Sequence, residues 1–208
     1  MGQLSRPQGS GGPAMARFVL DLERIYGQMD AAYRAASGQA GFDCRGCAQN
    51  CCRSLFFHHT YAEWLYLRTG LEGLPLQKRQ ALAAAARDYL ARKRPGDGLF
   101  CPLGDAERCI LYDHRPMICR LHGIPHILVR PDGCQVEGPG CDDYYRQRGQ
   151  AVATALDRTP FYAAMAALEK ELRQAIGLAA ARVKMTVAEM IATPLPVSIA
   201  PPDPDPPA

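Results

Sequence analysis

MARFVLDLERIYGQMDAAYRAA, residues 15–36, is the stretch that decides the class of fold. Met15, Phe18, Val19, Leu22, Ile25, Tyr26, Met29 and Tyr33 recur at steps of three and four, which lines one face of an α-helix. Gly38 is the expected stop, so the helix is predicted over Met15 to Ala36. The same period returns over about Thr60 to Arg68, where Tyr61, Trp64, Leu65 and Leu67 are followed by Gly70. An alanine-rich helix over about Leu76 to Arg94 stops at Pro95-Gly96. Thr159-Pro160 reads as a cap and a first-turn proline, opening a helix with the stripe Phe161, Met165, Leu168, Leu172 and Ile176 that Gly177 closes. A short last helix is predicted over Thr186 to Ala192. Strand pattern is confined to His126–Arg130 and Cys134–Glu137 about the turn Pro131-Asp132-Gly133. The expected fold is mostly α: helices packed around irregular cysteine-rich loops, with one small β-hairpin.

The chain has 208 residues, of which 48% are hydrophobic and 22% charged, enough for one compact domain with a core of its own. Residues 1–14, rich in Gly, Ser, Pro and Gln, read as a disordered or added N-terminal segment, and 194–208, ending PPDPDPPA, as a Pro-rich extended tail. A single domain is expected over 15–193. A net charge of +3 argues for neither nucleic acid nor a membrane surface. The basic run Arg92-Lys93-Arg94 suits a solvated helix end. No run approaches the ~20 apolar residues of a membrane span, and the N-terminus lacks the apolar core of a secretory signal. The expected location is the cytoplasm.

Nine cysteines, Cys44, Cys47, Cys51, Cys52, Cys101, Cys109, Cys119, Cys134 and Cys141, all lie between residues 44 and 141. Thiols clustered in this way in a reducing compartment point to metal or redox chemistry rather than to disulfides. In CRGCAQNCC, residues 44–52, Cys44 and Cys47 have the C-x2-C spacing that lets two thiolates reach one metal centre. Cys51 and Cys52 are adjacent. Neighbouring side chains diverge on a regular backbone, so one of the two is expected to face a second centre or to pack in the core. In CPLGDAERCILYDHRPMICR, residues 101–120, the gaps between Cys101, Cys109 and Cys119 are loose. The segment still reads as a compact knuckle: Gly104-Asp105 turns, Ile110-Leu111-Tyr112 anchors, and Arg115-Pro116 opens a short helix carrying Cys119.

The two motifs together resemble the YkgJ-type cysteine-cluster family, a CxxCxxCC zinc- or iron-chelating domain. The resemblance spans about residues 44 to 123. Its one departure is the three residues, rather than two, between Cys47 and Cys51. It implies metal ligation by Cys44, Cys47, Cys51 or Cys52, Cys101, Cys109 and Cys119, and it marks Tyr112, Arg115, Pro116 and Arg120 as motif positions. The cysteine cluster of flagellin lysine methylases is similar, which favours a 4Fe-4S iron–sulfur cluster, with zinc as the alternative or second metal.

Cys134, at the hairpin exit, and Cys141, after Gly138-Pro139-Gly140, are further candidate ligands. Eight of nine thiols would fill two four-thiolate centres. Tyr112, Arg115 and Arg120 are candidate cofactor-binding residues, the arginines by offsetting thiolate charge or by donating hydrogen bonds around the centre. Arg115 paired with Asp113 or Asp105 is the structural alternative. Histidines matter less where thiols abound: His122 is the foremost nitrogen candidate, ahead of His58, His59, His114 and His126. Three readings follow: a cluster-carrying protein of undetermined activity, a structural zinc module presenting a protein-interaction surface, or a cluster-dependent methyl-transfer enzyme acting on protein. The last lacks a glycine-rich cofactor loop, and C-x2-C-x3-C reverses the radical-type order.

Overall fold

The computed structural model describes residues 13–44, 51–92, 100–105, 108–149, 155–178 and 182–196. The fold is mostly α. Among the described residues there are seven α-helices and one three-stranded sheet: α1 Pro13–Ala40, α2 Tyr61–Glu72, α3 Leu76–Arg92, α4 Met117–Leu121, α5 Asp142–Arg148, α6 Thr159–Ala175 and α7 Val187–Ala192. The strands are β1 His126–Val129, β2 Gln135–Gly138 and β3 Leu156–Asp157, in the order β2-β1-β3.

The core follows the predicted stripes. Phe18, Leu22, Ile25, Tyr26 and Met29 of α1 are buried, as are Phe161, Met165, Leu168 and Leu172 of α6. Each large apolar side chain taken from water contributes about 1.5–3 kcal/mol. α1 lies against α2, α4 and α6, while α3 lies against α7. α2 is the central helix, with Tyr61, Trp64, Leu65 and Leu67 all buried. The Trp64 indole N–H donates to the Met190 carbonyl at 2.9 Å and ties α2 to α7. The Glu169 carboxylate on α6 accepts the Ala62 N–H at 3.2 Å, at the start of α2.

Several boundaries differ from the sequence reading, for local reasons. α1 runs through Gly38 and ends at Gly41, whose φ is +62°. The Phe42 N–H there returns to the Ser37 carbonyl at 2.9 Å, a closure that needs a left-handed residue. α2 runs through Gly70 to Glu72. That glycine makes room for a neighbour, since a Cβ on it would stand 2.5 Å from the His114 ring. α3 is described to Arg92. Arg158, rather than Thr159, precedes α6, and the Thr159 hydroxyl accepts the Val129 N–H at 2.9 Å instead. Thr186 caps α7 in a full capping box with Glu189.

The hairpin is present as β1 and β2, antiparallel with Val129 opposite Gln135. β3 adds a two-residue parallel strand beside β1, so the hairpin is part of a sheet. α5 was not expected at all; Cys141 caps it, the sulfur accepting the Tyr144 N–H at 3.4 Å. No helix among the described residues is long and apolar enough to cross a membrane.

Candidate metal centre

The two cysteine motifs meet. Cys51 and Cys52 open a single 3-10 turn, Cys51–Arg53. The Cys52 carbonyl accepts the Cys101 N–H at 2.8 Å, which joins the first motif to the second. From Cys101 the chain folds into a tight knuckle. The Gly104 N–H reaches the Cys101 carbonyl at 2.8 Å, Asp105 N–H the Arg108 carbonyl at 2.9 Å, and Ile110 N–H the Leu103 carbonyl at 2.8 Å. Gly104 lies under the Phe100 ring, where a Cβ would come within 2.1 Å of a ring carbon. Buried Leu103 and Leu111 anchor the knuckle in the core.

Cys119 comes in on α4. Pro116, extended, precedes the helix. The buried Glu63 carboxylate of α2 accepts the Met117 N–H at 3.0 Å and holds the helix start. Arg120 locks the loop behind it: the guanidinium donates to the carbonyls of Arg115 and Asp113 and to Asp30 at 2.8 Å, and it lies 4.2 Å over the Tyr26 ring.

A single cavity of about 550 Å³ collects the thiols of Cys44, Cys51, Cys52, Cys101, Cys109, Cys119 and Cys141. The adjacent pair Cys51 and Cys52 therefore share it, because a 3-10 turn does not splay neighbours to opposite faces as a strand would. Cys134 stands apart, exposed at the hairpin turn, and is not among the cavity's lining residues. Cys47 lies outside the described residues. Cys51, Cys101, Cys109, Cys119, Cys134 and Cys141 are free thiols. Among the described residues, no three His, Cys, Asp or Glu side chains stand in single-ion geometry.

The electrostatics separate an inner group. Burial, with Cys109 and Cys51 close by, raises the Cys101 thiol to about 11. Cys119 is pushed well up by burial and then by Cys101, Cys51 and Cys109. Burial raises Cys109 as well, and hydrogen bonding to Cys52 followed by burial raises Cys51. These four thiols stand within electrostatic reach of one another. Without a cation, such a group stays protonated, because each thiolate would repel the others in a half-dry site.

Opposing this, the local backbone favours the thiolate at two of the sulfurs. The backbone of Leu103 and Gly104 lowers the Cys101 thiol against its burial, and that of Leu111 does so for Cys109. Amides aimed at sulfur stabilise the thiolate and tune a metal held by it. Arginine adds positive charge at the rim. The Tyr112 ring is sandwiched, with the Arg108 guanidinium 3.8 Å and the Arg115 guanidinium 3.5 Å from its centroid. Both arginines favour the Cys109 thiolate. Arg115 also donates to the Tyr112 carbonyl at 2.8 Å. Tyr112 and Arg115 thus sit together at the rim, whereas Arg120 spends its donors on structure.

The histidines scatter. His122 lines the cavity with its ring 5.1 Å from Phe56, and burial followed by nearby Arg158 lowers its affinity for a proton. His114 stacks on Tyr66 at 4.6 Å. His126 is on β1. His59 lines a separate concavity along α6, which holds no thiol. His58 is buried and lines the thiol cavity. Sequence reasoning missed Glu63, although Thr60 followed three residues later by Glu63 is a capping-box signal. No protein-family model, curated protein or solved structure matches the chain.

Proposed function

We propose that this chain is a cysteine-ligated metal protein of a reducing compartment, carrying an iron–sulfur cluster in the thiol cavity. The observation that carries this reading is the inner group: Cys51, Cys101, Cys109 and Cys119, drawn from three separate segments, line one cavity. The donor set fits the cofactor, since thiolates are the ligands of iron–sulfur clusters and of soft metals generally. A cavity of about 550 Å³ also exceeds the needs of one ion many times over. The family resemblance of the two motifs supports the same cofactor.

A bound cluster supplies one-electron chemistry or an exposed iron as Lewis acid. The chain's own residues do the rest. Leu103, Gly104 and Leu111 amides hold charge on sulfur. Arg108 and Arg115 offset it from the rim. Leu103, buried on the cavity wall, keeps water from its inner side.

Anaerobically purified protein should be brown, with broad absorbance near about 400 nm, and should contain iron and acid-labile sulfide. Colourless protein holding stoichiometric zinc and no iron would overturn the iron–sulfur assignment. Zinc is the second reading, favoured by the same amide-capped knuckle, which suits a closed four-thiolate zinc site equally well.

A further inference from the structure

Among the described residues, His58 is buried with both ring nitrogens unpartnered. Its side chain is 1% exposed, yet neither Nδ1 nor Nε2 has a hydrogen-bond partner. Burying an imidazole unsatisfied at both nitrogens is costly, because each gives up its hydrogen bonds to water with nothing in return. The backbone leaves it no freedom to escape: His58 N–H donates to the Met185 carbonyl at 2.7 Å, and Met185 N–H returns to the His58 carbonyl at 3.0 Å. The fold therefore holds this ring where it is, on the wall of the thiol cavity.

The Glu63 carboxylate lies beside it, its Oε1 3.8 Å from Nδ1, beyond hydrogen-bond distance. Glu63 is itself buried, and it is fully engaged: it accepts the Thr60 hydroxyl at 2.8 Å and the Met117 N–H at 3.0 Å. A carboxylate facing Nδ1 favours the tautomer with the proton there. The lone pair is then on Nε2, at the far edge of the ring. Carboxylate, histidine and metal in that order are a recurring arrangement around metal centres. Glu63 also touches the first residue of α4, two positions before Cys119, so one carboxylate registers both the ring and that thiol.

We infer that His58 is a nitrogen ligand of the centre, bound through Nε2 and oriented by Glu63, so that the site is a mixed thiolate–imidazole one. This rests on the thiol cavity being a metal site, but not on which metal fills it.

Cobalt(II) added to anaerobic, reduced, metal-free protein tests the two ideas separately. Sulfur-to-cobalt charge-transfer absorbance reports the thiolates. A paramagnetically shifted, exchangeable imidazole N–H in the proton spectrum of protein labelled with 15N-histidine reports the ring. The chain has five histidines, so the signal can be assigned by elimination. Both signals are expected in the native sequence. The shifted N–H should persist in His59→Gln, His114→Gln, His122→Gln and His126→Gln, and should vanish in His58→Gln while the charge-transfer band remains. If His58→Gln does not fold, persistence in the other four still assigns the ring to His58. Charge transfer without any shifted imidazole, or a signal lost in one of the other four variants, overturns the inference and leaves the thiolate site standing. Absence of charge transfer overturns the metal site itself.

Discussion

Arg115 and Arg120 sit five residues apart in one motif, and the fold gives them different work. Arg115 is at the rim, stacked on Tyr112 and favouring the Cys51 and Cys109 thiolates. Arg120 is buried, with a salt bridge to Asp30 and bonds to two carbonyls. Arg115→Gln should leave the thermal midpoint nearly unchanged. It should shorten metal retention against a chelator by roughly 2- to 5-fold, the worth of one exposed cation–π contact of about 0.5–1 kcal/mol. Arg120→Gln should cost about 3 kcal/mol in denaturant unfolding, because it leaves a buried site uncompensated. Equal retention in Arg115→Gln, or an unchanged midpoint in Arg120→Gln, would reverse this division. Both arginines, with Tyr112, are legible in the sequence as one constellation. Their separation into rim and buried clamp is not, because it depends on Asp30 and Tyr26 of α1, some ninety residues away along the chain.

At the scale of elements, apolar period was sufficient where a helix buries one broad stripe, as in α1 and α6. It failed where a glycine serves a neighbour. Gly70 reads as a helix stop, yet it lies inside α2 against His114. In an exposed helix, Gly→Ala gains about 1 kcal/mol. Here Gly70→Ala should instead lower stability by about 1–3 kcal/mol, since the new methyl would force the His114 ring and the loop of Cys109 to Cys119 to move. A raised denaturant midpoint would show that Gly70 is an ordinary helix glycine. α5 was missed because its DDYYRQR has no apolar stripe and its cap is a cysteine that reads first as a ligand. β3 was missed because two residues carry no period. The candidate site is legible to the extent that its thiols are: seven of the nine line one cavity, but the sequence does not show that Cys134 faces away on the hairpin.

At the scale of the molecule, the interior is arranged for neutral histidine. Burial holds His114, His122 and His126 below the ordinary range, His126 at about 4. Nearby Arg158 lowers His122 and His126 further. The sign follows from linkage: as pH falls below the unfolded value near 6.5, the unfolded chain takes up protons that the folded one refuses. The contribution of these groups is thus full above about 6.5 and is lost as pH falls toward the folded value, for His126 between about 6.5 and 4. Glu72 and Glu169, raised by burial, act in the opposite direction as they protonate early in the folded state. Glu63, held low, withdraws its share only at lower pH. The folded protein should therefore lose stability between pH 6.5 and 4. His126→Gln, which removes the ring while retaining a polar side chain on β1, should make that loss shallower. The comparison is between denaturant midpoints of the two proteins at pH 7.5 and pH 5. Acid release of any metal falls on both proteins alike, so the difference between their slopes isolates the histidine. Parallel slopes would show that His126 carries none of the acid sensitivity and that the burial of its ring against Gly138 is relieved before protonation.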